Sequence, residues 1–184
     1  NKYLSKKNKQ QSISKVGDFA DLTKSFNVIK PRKYLVISGG EGFSDDNLLY
    51  DYGWIVNSKN DTIWGTRDVR KTYHLGGAAK NRVQFAIVDL KPDQYQLRYK
   101  SDDSHGYDVW NAVQPTYPQF WGISIVELEN DSQVDEIQNY LNQSKNENLI
   151  KGRNIRSIHI SKNIVWIGTD AAGLNKINLE DNSV

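Results

Sequence analysis

Neither cysteine nor methionine occurs in the 184 residues. The first absence removes disulfide scaffolds, thiol catalysis and cysteine-held zinc, and it leaves the redox compartment open. No apolar run approaches the roughly 18 residues a membrane span requires, and residues 1–5 lack the apolar stretch of a signal peptide. An excess of one charge is missing as well: 24 Lys and Arg against 22 Asp and Glu leave +2, so bulk charge names no partner. What remains, with 25% charged and 38% hydrophobic residues, is the composition of a globular chain rather than a disordered one. Its length suits one ordinary domain with a small additional element. Asn1 is no initiator, and the chain is expected to be a segment of a larger protein.

Charge is uneven along the chain. Residues 1–33 carry nine Lys and Arg against two Asp, hence +7, and the rest carries −5. Residues 1–15 hold five Lys, no acid, and only Tyr3, Leu4 and Ile13 as sizeable apolar groups. Such a stretch buries too little to offset its ordering entropy. Residues 1–18 are therefore expected to be a basic flexible arm. A polybasic contact with nucleic acid or anionic lipid is the competing reading, disfavoured because aromatics are not interleaved and no helical apolar face exists. No nucleic-acid partner and no membrane span are expected.

From residue 19 to 129 the chain turns to short β-branched and aromatic segments broken by Gly, Asn, Asp and Pro. Strands are expected over 25–29, 33–38, 52–57, 62–64, 82–90, 94–100 and 122–127. Alternation is clearest at Tyr95, Leu97 and Tyr99, which share one face, with Gln96, Arg98 and Lys100 on the other. Seven such strands without helical periodicity between them define an all-β, antiparallel, jelly-roll-like β-sandwich, because each sheet must cover its apolar face. The Pro92-Asp93 turn is expected to close a hairpin between its flanking strands. Residues 130–150 differ: Asp131-Ser132 offers an N-cap, and Val134, Ile137, Tyr140 and Leu141 repeat at helical spacing, so a short amphipathic helix and linker are expected. Residues 151–184 return to β signals, with short strands expected over 157–159, 164–167 and 174–177, and are expected to form a C-terminal β-hairpin.

Several residues are candidates for chemistry. Asp102, Asp103 and Asp108 form the densest group of oxygen ligands, and calcium is the cofactor such a loop would take; the plainer reading, favoured here, makes them turn caps after the 94–100 strand. His74 and Arg82, flanking Gly76-Gly77 and Lys80-Asn81, suggest an anion-binding loop, against a structural loop in which the glycines take positive φ and Asn81 and Arg82 brace neighbouring strands. His74 and His105 with Asp102 would make an acid/base or metal site if the fold brought them together. Trp110, Tyr117 and Trp121 lie on a long expected loop, where exposed aromatics would stack on a glycan or peptide, although most large aromatics in a small sandwich are core. Hydrolase motifs are missing, so no enzyme is expected.

Residues 154–178 resemble one two-component regulator propeller repeat, through Val165-Trp166-Ile167-Gly168-Thr169-Asp170 followed by Gly173-Leu174-Asn175-Lys176. Ala171-Ala172 departs mildly from that pattern, where glycines are usual. Such repeats build the propellers of extracytoplasmic hybrid histidine-kinase sensors, many of which recognise polysaccharide breakdown products. The resemblance implies a non-catalytic periplasmic or cell-surface sensing segment whose partner is the rest of a larger sensor chain. The sandwich segment, through Asp51-Tyr52-Gly53-Trp54-Ile55, the 73–82 stretch, Ser101 to His105 and Trp121-Gly122-Ile123, is similar in layout to pre-peptidase C-terminal sandwich domains. Those are accessories, which implies a carbohydrate- or protein-binding module of a secreted or surface protein as the alternative, and no catalytic residue carries over.

Overall fold

The computed structural model describes residues 10–146, 155–161, 164–169 and 173–178. One antiparallel sheet runs in the order β1 (Gln10–Ser14), β10 (Gly122–Glu127), β3 (Arg32–Phe43), β8 (Asn81–Leu90) and β7 (Tyr73–His74), with β4 (Leu48–Leu49) paired to the end of β3. The other runs β2 (Asp21–Val28), β9 (Asp93–Lys100), β5 (Tyr52–Val56) and β6 (Thr62–Gly65). A single apolar cluster joins their inner faces: Val36, Ile123 and Ile125 from the first meet Ile55, Leu97 and Tyr99 from the second. The antiparallel β-sandwich is therefore observed, and all seven expected strands are among its members.

Alternation places the core. Tyr95, Leu97 and Tyr99 of β9 are buried while Gln94 and Lys100 are exposed. Each buried Leu or Ile contributes about 1.5–3 kcal/mol by leaving water, and the Tyr99 hydroxyl adds a tie across the sandwich, donating to the Gly39 carbonyl at 2.7 Å. Gly53 N–H donates to Ser38 Oγ at 3.2 Å, a second tie between the layers.

Three expectations are corrected. Residues 10–18 are not an arm: β1 pairs with β10 from Gln10↔Val126 to Ser14↔Gly122, and Ile13 and Val16 are buried. Only two apolar side chains are needed to hold a strand whose backbone bonds an existing edge, and composition does not display that edge. Residues 1–9 of the expected arm lie outside the described residues. Secondly, β3 does not stop at Gly39-Gly40 but continues to Phe43. Glycine is required there, since a Cβ on Gly40 would lie 2.2 Å from the Asp51 carbonyl oxygen. Thirdly, the Pro92 turn closes no hairpin. β8 pairs with β3 and β7, and β9 with β2 and β5, so the turn carries the chain from one sheet to the other. The three C-terminal strands are observed where they were expected, and longer: β11 (Ile155–Ser161), β12 (Ile164–Thr169) and β13 (Gly173–Asn178) form an antiparallel meander, with Ile158↔Ile167 and Val165↔Ile177 in register.

The helix α1 (Asp131–Asn146) begins one residue earlier in capping terms than expected. Asn130 Oδ1 accepts the Gln133 N–H at 2.9 Å, while Gln133 Oε1 reaches back to the Glu129 N–H at 2.8 Å. This reciprocal arrangement satisfies two N–H groups at the helix entry. Ile137 is its buried apolar contact. Residues 147–150 of the expected linker, and 151–154 of the segment after it, lie outside the described residues.

Candidate functional site

The end of β3, the start of β5 and the loops 75–81 and 101–121 converge on one cluster of polar side chains. Glu41 continues β3 beyond its glycines, and its carbonyl accepts the N–H groups of Tyr50 and Asp51 at 2.9 and 3.3 Å. Those bonds fix Asp51 beside it. Asp51 is wholly buried; its Oδ1 accepts the Asp102 N–H at 3.0 Å and its Oδ2 the Trp121 Nε1–H at 3.1 Å. Asp102 follows β9, with its Oδ1 accepting the Ser104 N–H at 3.1 Å and its carbonyl accepting the Phe19 N–H at 2.6 Å. One carboxylate oxygen from each of Glu41, Asp51 and Asp102 lies within 4.8 Å of the others.

Three acids so close perturb one another. Burial, followed by the charges of Asp102 and Glu41, pushes the Asp51 carboxyl up to about 8 against the bonds that favour its ionised form. Burial also raises Glu41, opposed by Lys80, whose Nζ stands 2.7 Å from Glu41 Oε1. Lys80 additionally donates to Asn111 Oδ1. Glu41 Oε2 is buried and has no hydrogen-bond partner.

Next to the acids, Asn81 organises the loops. Its Nδ2 donates to the carbonyls of Gly76 and Val113 at 2.7 and 3.0 Å, which fixes its Oδ1 as acceptor. That oxygen receives His105 Nε2 at 2.6 Å, and His105 Nδ1 lies 2.9 Å from Asn111 Oδ1. His105 is fully buried, edge-on to Trp110 at 5.0 Å and Trp121 at 5.6 Å. Its burial, then the charge of Lys80, lowers its pKa to about 4. The imidazole is thus neutral and enclosed.

The candidate residues fare differently. Asp102 joins a carboxylate cluster, but Asp103 and Asp108 do not: both are exposed, and the partners of Asp102 are Glu41 and Asp51. The sequence-adjacent set is thus replaced by one assembled across the fold. His74 and Arg82 stand in the arrangement of the structural alternative. Arg82 donates from Nε to Thr72 Oγ1 at 2.8 Å and from Nη2 to the Thr72 carbonyl at 3.3 Å, and Lys80 is held by Glu41. Gly76 and Gly77 take φ +85° and +70°, the structural role. His74 Nε2 contacts the Ala78 carbonyl at 2.8 Å, and no described bond joins it to His105.

Trp121 is not a ligand platform: it is 0% exposed, in the core. Trp110 is half-buried against it, ring centroids 5.1 Å apart, and Tyr117 is half-buried beside Phe120 at 6.4 Å. The exposed apolar groups of this loop are Val109 and Val113, at 53% and 70%. Glu41 and Asp51 were missed as site residues by sequence reasoning, whereas Lys80 and Asn81 were named in their loop but not with these partners. The available signal was an acid embedded among glycines and apolar residues, as in Gly39-Gly40-Glu41-Gly42 and Tyr50-Asp51-Tyr52.

No family model matches the chain, and no curated protein matches it. Among solved structures, the pre-peptidase C-terminal domain of a collagenase from Bacillus anthracis is similar at 14% identity and a TM-score of 0.34, over 65% of this chain and 86% of that one. The sandwich is defined by its own two sheets.

Proposed function

We propose that the chain is a non-catalytic binding module of a larger secreted or surface protein, and that the 109–117 loop meets its ligand, a glycan or an extended peptide. One observation carries this: an apolar loop tip is held out in water by bonds from the scaffold beneath. Val113 is fixed through its carbonyl by Asn81 Nδ2 and the Ala78 N–H, at 3.0 and 2.9 Å, and Asn111 by Lys80. A rigid exposed tip loses little entropy on binding, which is how preorganised recognition loops gain affinity. Trp110 and Tyr117, half-buried at its base, offer ring edges to a sugar or peptide. The imidazole that would serve as a base is enclosed and committed to Asn81, which supports a role other than catalysis. Among the described residues, no helix is long and apolar enough to cross a membrane.

The test is a screen of the full chain against arrayed glycans and extended peptides, repeated with Val113→Asp. Binding by the wild type and a loss of about tenfold or more in the variant support the reading. A wild type that binds nothing, or a variant that binds as well, overturns it.

A second reading has its own observation. The antiparallel meander β11-β12-β13 has the up-and-down pairing of adjacent strands in a four-stranded propeller blade, which, with the repeat-like Val165–Thr169 pattern, supports a propeller-bearing sensor of two-component type as the parent chain. Further copies of the Val165–Thr169 pattern downstream in the gene, at a period of about 40–50 residues, would support it, and their absence would count against it.

A further inference from the structure

We propose that Glu41, Asp51 and Asp102 bind one divalent cation, calcium by preference, and that this ion staples the two sheets together. Glu41 belongs to the end of β3 in one sheet, whereas Asp51 and Asp102 flank β5 and β9 in the other. An ion held by all three would bridge the layers where Tyr99 and Gly39 already do so.

Three observations converge. The ligating oxygens lie within 4.8 Å of one another, close enough for one ion to touch all three; a set of protein carboxylates in irregular geometry suits calcium, whereas magnesium demands a near-ideal octahedron and keeps several waters. Glu41 Oε2, in a residue 1% exposed, has no partner. A buried oxygen left unpaired is costly enough that such atoms mark a missing partner. The charge also fits: Lys80 offsets one carboxylate through Glu41 Oε1, which leaves two negative charges for a divalent ion when all three acids are ionised.

The remaining geometry is that of a prepared site. Asp51 is oriented by the Asp102 N–H and the Trp121 indole N–H, and Asp102 by the Ser104 N–H. Outer bonds of this kind hold ligating carboxylates in place. Asp102 is half-buried and gives the ion its way in. The proposal stands apart from the ligand reading of the 109–117 loop, since neither needs the other.

Terbium, a luminescent stand-in for calcium, provides the readout, because Trp121 donates to one of the ligating carboxylates and would sensitise its emission. The full chain is stripped with chelator, titrated with terbium, then with calcium and separately magnesium, and its melting temperature is followed. The expected result is one terbium per chain, displaced by calcium at least tenfold more effectively than by magnesium, and a melting temperature that rises with calcium concentration. Asp102→Asn and Glu41→Gln should each weaken binding by about tenfold or more, and the exposed Asp103→Asn should leave it unchanged. Silence from the wild type in both luminescence and melting overturns the site. Preference for magnesium overturns the choice of ion, and loss of binding in Asp103→Asn but not Asp102→Asn overturns the location. Should one ligand variant fail to fold, the other variant and the wild-type titration still decide.

Discussion

His105 gives the sandwich a stability that falls with acid in a defined window. Its imidazole is fully buried, and burial together with Lys80 holds its pKa at about 4, against 6.5 for a free histidine. Two oxygens face its two nitrogens, and a neutral ring donates to only one of them. Asn81 Oδ1 is the committed acceptor, so the Nδ1 lone pair faces Asn111 Oδ1 until a proton arrives. That contact draws the pKa upward, but a single bond is outweighed by enclosure in aromatic rings beside a cation. Between pH 6.5 and 4 the unfolded chain holds a proton here that the native fold refuses, so stability is full above 6.5 and is lost as pH falls. The loss runs at up to ~1.4 kcal/mol per pH unit, about 3 kcal/mol across the window. Asp51, raised to about 8, pulls the opposite way over overlapping pH because its native form keeps a proton that the unfolded form releases. The measurement is therefore a difference: urea unfolding of wild type and His105→Gln at half-unit steps from pH 4 to 8. The stability gap between them should be constant above about pH 7 and shrink by about 3 kcal/mol towards pH 4. A gap independent of pH, or ring protons that titrate by NMR at 6.5 or higher, would refute the reasoning.

Two further substitutions probe the scaffold. Gly77→Ala places a Cβ 2.1 Å from the Gln114 carbonyl oxygen at φ +70° and should cost about 1–3 kcal/mol in urea unfolding; a change under ~0.5 kcal/mol would show that the 75–81 and 109–117 loops are not locked together. Trp121→Phe removes the donor to Asp51 Oδ2 and leaves space in the core, with an expected cost of about 2–4 kcal/mol. A neutral result by the same assay would mean that the indole contact does not hold Asp51.

Much of the sandwich is legible in the sequence because alternation is a local signal. The Tyr95, Leu97 and Tyr99 face reads directly from three residues, and the structure buries all three. What local pattern cannot supply is the identity of the strand that covers an edge. Gln10–Ser14 is polar apart from Ile13, and its stability comes from pairing with β10, more than a hundred residues away in the chain. The Pro92 turn fails for a related reason. Proline and aspartate specify a change of direction, but whether the chain returns beside the strand it left or crosses to the other layer depends on the partners waiting for β8 and β9.

The acidic cluster shows the same limit in chemical form. Asp102, Asp103 and Asp108 stand close in sequence, and proximity in sequence is the only kind a linear reading can weigh. The fold instead selects residues whose backbones are brought within hydrogen-bond reach: Asp51 N–H on the Glu41 carbonyl, and Asp102 N–H on the Asp51 carboxylate. The partners in the second of these bonds are 51 residues apart. Exposed Asp103 has water available to it and needs no explanation, whereas Glu41 and Asp51 are removed from water and must be compensated. Burial rather than density therefore separates a meaningful carboxylate from a decorative one. The sequence already hinted at it by setting Glu41 among glycines that admit the Asp51 backbone, a position where an uncompensated acid would be selected against unless something positive shares the space. Lys80 is one such group, and it leaves Glu41 Oε2 without a partner.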